Sequence, residues 1–101
     1  MVSIRDFQSM MHRIYFHRDS ERQADGTFRW LKEEVDELGE AMQNANKRAL
    51  EDEFADVIAW LASLANVLKI DLEKATLRKY SNLCPKCGSS PCKCIFKTKE
   101  Y

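Results

Sequence analysis

A chain of 101 residues, 45% hydrophobic and with two tryptophans, is one domain with enough apolar material for a modest core, which excludes a disordered polymer. Its formal net charge of zero excludes whole-chain polyelectrolyte behaviour toward nucleic acid or a membrane surface. The charge is uneven, with nine acids and two bases from Glu33 to Asp56 and eight bases and three acids from Lys69 to Tyr101. Such a chain can bind a metal with one part and phosphate with another.

The opening Met-Val-Ser-Ile-Arg-Asp has neither the basic head nor the apolar run of a secretory signal, so a cytoplasmic location is expected. Glycine and proline are scarce before residue 85 and β-branched runs are absent, which predicts an all-α body of about four helices packed as an antiparallel bundle. Ser3 with Asp6 three residues on forms a capping box, opening a first helix through about Phe16. The polar run HRDSERQADG reads as a connection, and Thr27 as the cap of a second helix over 27–44. QNANK reverses the chain into a third helix from about Lys47 to Leu68. KID interrupts it, and Asp71 caps a short fourth helix to about Tyr80. This body is expected to span residues 1–82, with a cysteine-rich tail over 83–101.

Phe28, Leu31, Val35, Leu38 and Met42 form the predicted packing stripe of the second helix. Leu50, Phe54, Val57, Leu61, Leu64 and Leu68 form that of the third. Residues 57–68 are apolar or small nearly all round. They are too few to span a bilayer, so no membrane partner is expected. The helix is therefore central or covered by a second subunit, and a homo-oligomer is expected.

Five acids fall in eight positions of the second helix, Glu33, Glu34, Asp36, Glu37 and Glu40. Glu34 and Glu37 are i, i+3, and so are Glu53 and Asp56 on the third helix. That spacing sets two carboxylates on one helix face, here at the edge of the apolar stripe. Two antiparallel helices joined by a short reversal bring the pairs together. Four carboxylates meeting at a core edge repel and are poorly solvated, and a hard divalent cation relieves both. Oxygen-only ligands suit Mg²⁺ or Mn²⁺. A ferritin-like di-iron site needs Glu-x-x-His pairs, and His12 and His17 do not supply them. The bland alternative is two pairs of solvated helix charges.

EEVDE (residues 33–37) and EFAD (residues 53–56), followed by an apolar helix and KIDLEKA, resemble the signature of the MazG-type nucleoside triphosphate pyrophosphohydrolases. The resemblance covers roughly residues 1–80. It implies an α-helical homodimer or homotetramer that hydrolyses an NTP or dNTP to the monophosphate and pyrophosphate with Mg²⁺. Position by position, it implies Glu34, Glu37, Glu53 and Asp56 as magnesium ligands and Glu33, the remaining carboxylate of the motif, as a catalytic residue that supports the ligands or orients water; a spare carboxylate near that water can take its proton. Family members carry a lysine and then an Asn- and Arg-rich run near the end of the fourth helix. Here Lys79 stands before YSNLC and that run is missing.

Lys79 is the leading phosphate contact and Arg78 the second, against the alternative that both are solvated helix-end bases. Arg18 and Lys32 are further options. Trp30 and Trp60 are either core or stacking surfaces for a base, with Trp30 taken as a substrate contact. His17 and Asp19 lie where they can reach the site.

The tail reads Cys84-x2-Cys87-x4-Cys92-x-Cys94. Cys-Pro-x-Cys-Gly is a zinc-knuckle turn, and four thiolates satisfy a tetrahedral structural Zn²⁺; iron, disulfides and free thiols are the alternatives. Lys86, Lys93, Lys97 and Lys99 are either solvated charges or a nucleic-acid patch, and no nucleic-acid partner is expected. Two rival functions remain: a non-enzymatic helical dimer whose zinc loop binds protein or nucleic acid, and a hydrolase of another phosphoanhydride.

Overall fold

The computed structural model describes residues 1–44 and 46–95. They form three helices, α1 (Ile4–Asn44), α2 (Lys47–Leu68) and α3 (Leu72–Lys79), with no strand among the described residues. The all-α expectation holds. α1 and α2 run antiparallel, because Gln8 meets Asn66 near one end and Trp30 meets Trp60 further along. After α3 the chain has only turns and bends to Ile95.

Local chemistry sets the helix ends. The Ser3 amide donates to Asp6 Oδ2 at 3.1 Å and the Asp6 amide to Ser3 Oγ at 3.0 Å, a reciprocal capping box that satisfies two otherwise orphaned donors. Asn46 caps α2 by accepting from the Ala49 amide. Lys69 ends it in the left-handed conformation (φ 59°, ψ 42°). Asp71 caps α3 through the Lys74 amide, as the sequence predicts.

The expected polar connection at residues 17–26 does not exist as a loop. Helix continues on both sides of a kink at one non-helical residue, Gln23 (φ 63°, ψ 179°). That region suits glycine and stores strain in any other residue. Thr27 is no cap. It lies inside the helix, fully buried, and its Oγ1 has no hydrogen-bond partner. Polarity in this run reflects helix-compatible pairing. Asp19 takes a 2.9 Å ion pair from Arg22 at i, i+3, and Ser20 Oγ donates back to the Phe16 carbonyl at 2.7 Å. The four expected helices are thus three, the first broken into two segments at Gln23.

One amide joins the head of α1 to the junction between α2 and α3. Gln8 Nε2 donates to Asn66 Oδ1 and to the Ile70 carbonyl at 2.7 Å, while its Oε1 accepts from the Leu72 amide at 2.9 Å. Arg5 adds ion pairs to Asp71 and Glu73.

The buried apolar core is small, comprising Met11, Leu31, Ala62 and Ala65. The predicted stripes are only partly buried. Phe28, Val35, Met42, Phe54, Leu61 and Leu68 are exposed, as is Ile58. Against α1 it is the small side of α2, Ala62, Ser63 and Ala65, that is buried, because small residues let two helices approach closely. The chain exposes 8128 Å², against about 5,900 Å² for a compact monomer of this mass. The radius of gyration is 15.8 Å, against about 13 Å for a compact chain of this length.

Candidate functional site

The second segment of α1 and the first half of α2 bring the acids together. Glu34 and Glu37 come from α1 and Glu53 from α2, and one carboxylate oxygen of each lies within 4.8 Å of the others. Glu34 and Glu53 are half-buried and Glu37 is exposed. Burial, first, and then the hydrogen bond and charge of Glu37 push the Glu34 carboxyl up to about 7, with Asp56 and Glu53 adding to it. Burial and the charges of Glu37 and Asp56 raise Glu53 as well, while a hydrogen bond with Glu34 works the other way. Glu53 Oε2 is buried without a hydrogen-bond partner. An orphaned buried oxygen among crowded carboxylates is what an oxygen-ligated divalent cation satisfies, so these residues fit such an ion.

Asp56 is exposed and stands outside this group of three. It lines an adjoining cavity of about 110 Å³ with Tyr15, Asp19, Arg22, Trp60 and Ser63. Asp19 is 1% exposed. Its Oδ1 accepts from Arg22, and its Oδ2 is buried without a partner. The Arg22 guanidinium carbon sits 5.1 Å from the centroid of the Trp60 ring. Trp60 also stacks on Trp30, with centroids 5.8 Å apart and planes 17° apart. Trp30 precedes Glu34 by four residues and Trp60 follows Asp56 by four, so on each helix the indole and an acid share a face. Trp30 remains 48% exposed.

The other sequence candidates stand outside the carboxylate group and the cavity lining. Glu33 is exposed and outside the carboxylate group. Arg78 and Lys79 occupy the last turn of α3 and do not line the cavity; Lys79 Nζ lies 5.6 Å from the Tyr80 ring centroid. Lys32 lies over Phe28, while Arg18 and His17 are exposed. His12 stacks on Phe16. Sequence reasoning placed Asp19 near the site but passed over Arg22 and Tyr15. The Asp-x-x-Arg spacing was the available signal, hidden by reading this stretch as a loop.

The tail gathers its four cysteines. Their sulfurs all lie within 4.8 Å of one another, and all four are free of disulfides. Backbone amides of Lys93 and Ser89 pull the Cys87 thiol down to about 6. Those of Cys87 and Lys86 lower Cys84. Cys94, engaged by the thiols of Cys92 and Cys84, is pushed up to about 12. Lys97 and Lys99 lie outside the described residues.

The architecture and site define an all-helical domain with carboxylates converging from two consecutive antiparallel helices. Residues 22–88 match the MazG nucleotide pyrophosphohydrolase domain; the match covers more than half of the chain, which belongs to that family. No curated protein matches the chain significantly. No helix among the described residues is long and apolar enough to cross a membrane.

Proposed function

We propose that the protein hydrolyses a nucleoside triphosphate, ribo- or deoxyribo-, to the monophosphate and pyrophosphate, using Mg²⁺ or Mn²⁺ at Glu34, Glu37, Glu53 and Asp56. The observation that carries the reading is the buried, unpartnered Oε2 of Glu53, a member of a group of three converging carboxylates in a chain of this family. A bound divalent ion supplies charge neutralisation on the phosphates and a place to orient the attacking water.

The protein's own residues do the rest. Glu34, Glu37 and Glu53 would hold the ion that meets the phosphates, and Asp56 would add a fourth carboxylate from the cavity side. Glu33, next to Glu34 and open to solvent, accepts the proton of the attacking water as the phosphoanhydride bond between the α and β phosphorus breaks and pyrophosphate leaves with the bridging oxygen. The exposed face of Trp30 stacks the base; Trp60 is already engaged by Trp30 and Arg22. Lys79 and Arg78 offer cations to the outer phosphates. A zinc held by four cysteines leaves no open position for substrate water, so the tail is outside this chemistry.

The working form is a homodimer or homotetramer. Its support is the excess surface, roughly 2,200 Å² above a compact monomer, together with the exposed row Phe54, Ile58, Leu61 and Leu68, an excess in the range of obligate interfaces. A cytoplasmic location suits a nucleotide substrate and free thiols.

The test is pyrophosphate release from a panel of nucleotides with and without Mg²⁺. Metal-dependent release of pyrophosphate from a triphosphate is the expected result. Release of another product reassigns the bond that is cleaved, and inertness toward the whole panel returns the chain to a binding role.

A further inference from the structure

We propose that Cys84, Cys87, Cys92 and Cys94 hold one zinc ion in a closed four-thiolate site, and that this ion, in place of an apolar core, folds residues 81–95. The sulfur geometry carries the first half. Cys84 Sγ lies 3.8 Å from Cys94 Sγ, and Cys87 Sγ lies 3.9 Å from Cys92 Sγ. A tetrahedron with zinc–sulfur bonds of about 2.3 Å has edges of about 3.8 Å. Disulfides need their sulfurs about 2 Å apart. A multi-iron cluster spreads its thiolates over several metal atoms and needs a wider cage than four sulfurs all within 4.8 Å. The site is therefore sized for one metal atom. Between single ions, zinc binds such a site more tightly than ferrous iron.

The backbone is shaped around the sulfurs. The Gly88 amide donates to the Cys84 carbonyl at 2.8 Å, and the Cys84 amide to the Ser89 carbonyl at 3.0 Å, closing the turn between the first two ligands. Gly88 has φ +70° with open space where a side chain would stand, a conformation that glycine adopts without strain. The Lys93 amide donates to Cys87 Sγ at 3.2 Å, and the Cys94 amide to Cys92 Sγ at 3.4 Å. Amides aimed at sulfur orient thiolate ligands and spread their charge. Zinc with four thiolates carries two negative charges, and Lys86 and Lys93 sit between the ligands in sequence to offset them.

The second half follows from what the segment lacks. Residues 81–95 contain no helix or strand, and their two large aliphatic side chains are exposed, Leu83 at 50% and Ile95 at 88%. Ordering such a segment loses conformational entropy at every residue with no apolar burial to offset it. Metal binding supplies that free energy in small domains built this way.

The experiment uses the full chain, purified from cells grown without added zinc and exchanged into metal-free buffer. Native mass and metal analysis should show one zinc per chain. Cobalt replacement should give the visible bands of a tetrahedral thiolate site. The double variant Cys84→Ser/Cys87→Ser should lose the metal and become protease-sensitive within residues 81–95, with helix content unchanged. Cys92→His, which keeps a zinc-competent ligand, should retain the ion and the protection. Iron in place of zinc, disulfides, or a metal-free tail that resists protease equally well would overturn the proposal. So would loss of helix content in the double variant, because the ion would then support more than the tail.

Discussion

The acid group and the cysteine group are two cation-type sites built on opposite principles. The carboxylates come from residues 34, 37 and 53, on two helices held by caps and packing, and stay converged at the expense of burying charge. The cysteines come from eleven consecutive positions without regular structure, and only turn hydrogen bonds set their spacing. Helices can hold repelling ligands apart from any ion; a short loop cannot keep four thiols together without one. The helical site should therefore keep its shape when stripped of metal, and the loop should not.

The largest effect should come from breaking the acid side alone. Glu53→Gln keeps the volume and removes one charged ligand. Pyrophosphate release should fall by at least about 100-fold, while zinc content stays at one per chain. In calorimetry the wild type should be stabilised by Mg²⁺, by about 2.7 kcal/mol at a hundred times its Kd, and the variant should lose that shift. Full turnover in Glu53→Gln would remove this residue from the site.

Association comes next. Ile58→Asp puts a charge into the exposed apolar row of α2 without touching the acid group. Light scattering should show the wild type as a dimer or larger and the variant reduced to monomer or unfolded. A wild-type monomer at micromolar concentration would refute the oligomer. Trp30→Ala should raise KM by about tenfold, in line with about 1–3 kcal/mol for one base–aromatic stack, and leave kcat nearly unchanged.

Acid should separate the two regions by sign. Glu34 has its carboxyl raised from 4.5 to about 7, so the folded state binds more protons than the unfolded between those values. Metal-free stability should rise as pH falls from 7 toward 4.5. In the loop, protons compete with zinc for the thiolates, so the ion and the protection it gives should be lost as pH falls. Denaturant melts of the helices and protease assays of the loop, run across this range, should move in opposite directions. The smallest effect concerns α1. A β-branched residue is worse than glutamine at Gln23's φ of 63°, and Gln23→Val should lower stability by about 1–2 kcal/mol, read in thermal melts.

Much of this architecture is legible in the sequence. The capping box at Ser3 and Asp6, the reversal before α2 and the cap at Asp71 are local devices, and the structure has all three. The i, i+3 spacing of acids on consecutive helices was enough to bring Glu34, Glu37 and Glu53 together. Residues 17–26 were not legible, because polar residues on a solvated helix look the same as polar residues in a loop when no proline or paired glycines settle it. Nor was it legible which half of each stripe packs inside the chain. Apolar periodicity marks a face that will be covered, not what covers it, and so Phe54 and Leu61 are exposed while Ala62 and Ser63 are buried. The break at Gln23 was not legible either, because no residue in the run announces it.

The Gln8 amide also says something about the order of assembly. It ties residues 58 to 64 positions away in a chain of 101, and contacts that close loops of that length form late. The caps of α2 and α3 at this end are in part non-local, so the junction is finished only when the head of α1 arrives. Head and junction then open together as one cooperative unit. In hydrogen exchange, the Leu72 amide should lose protection at the same rate as the amides of the first turns of α1 after the cap.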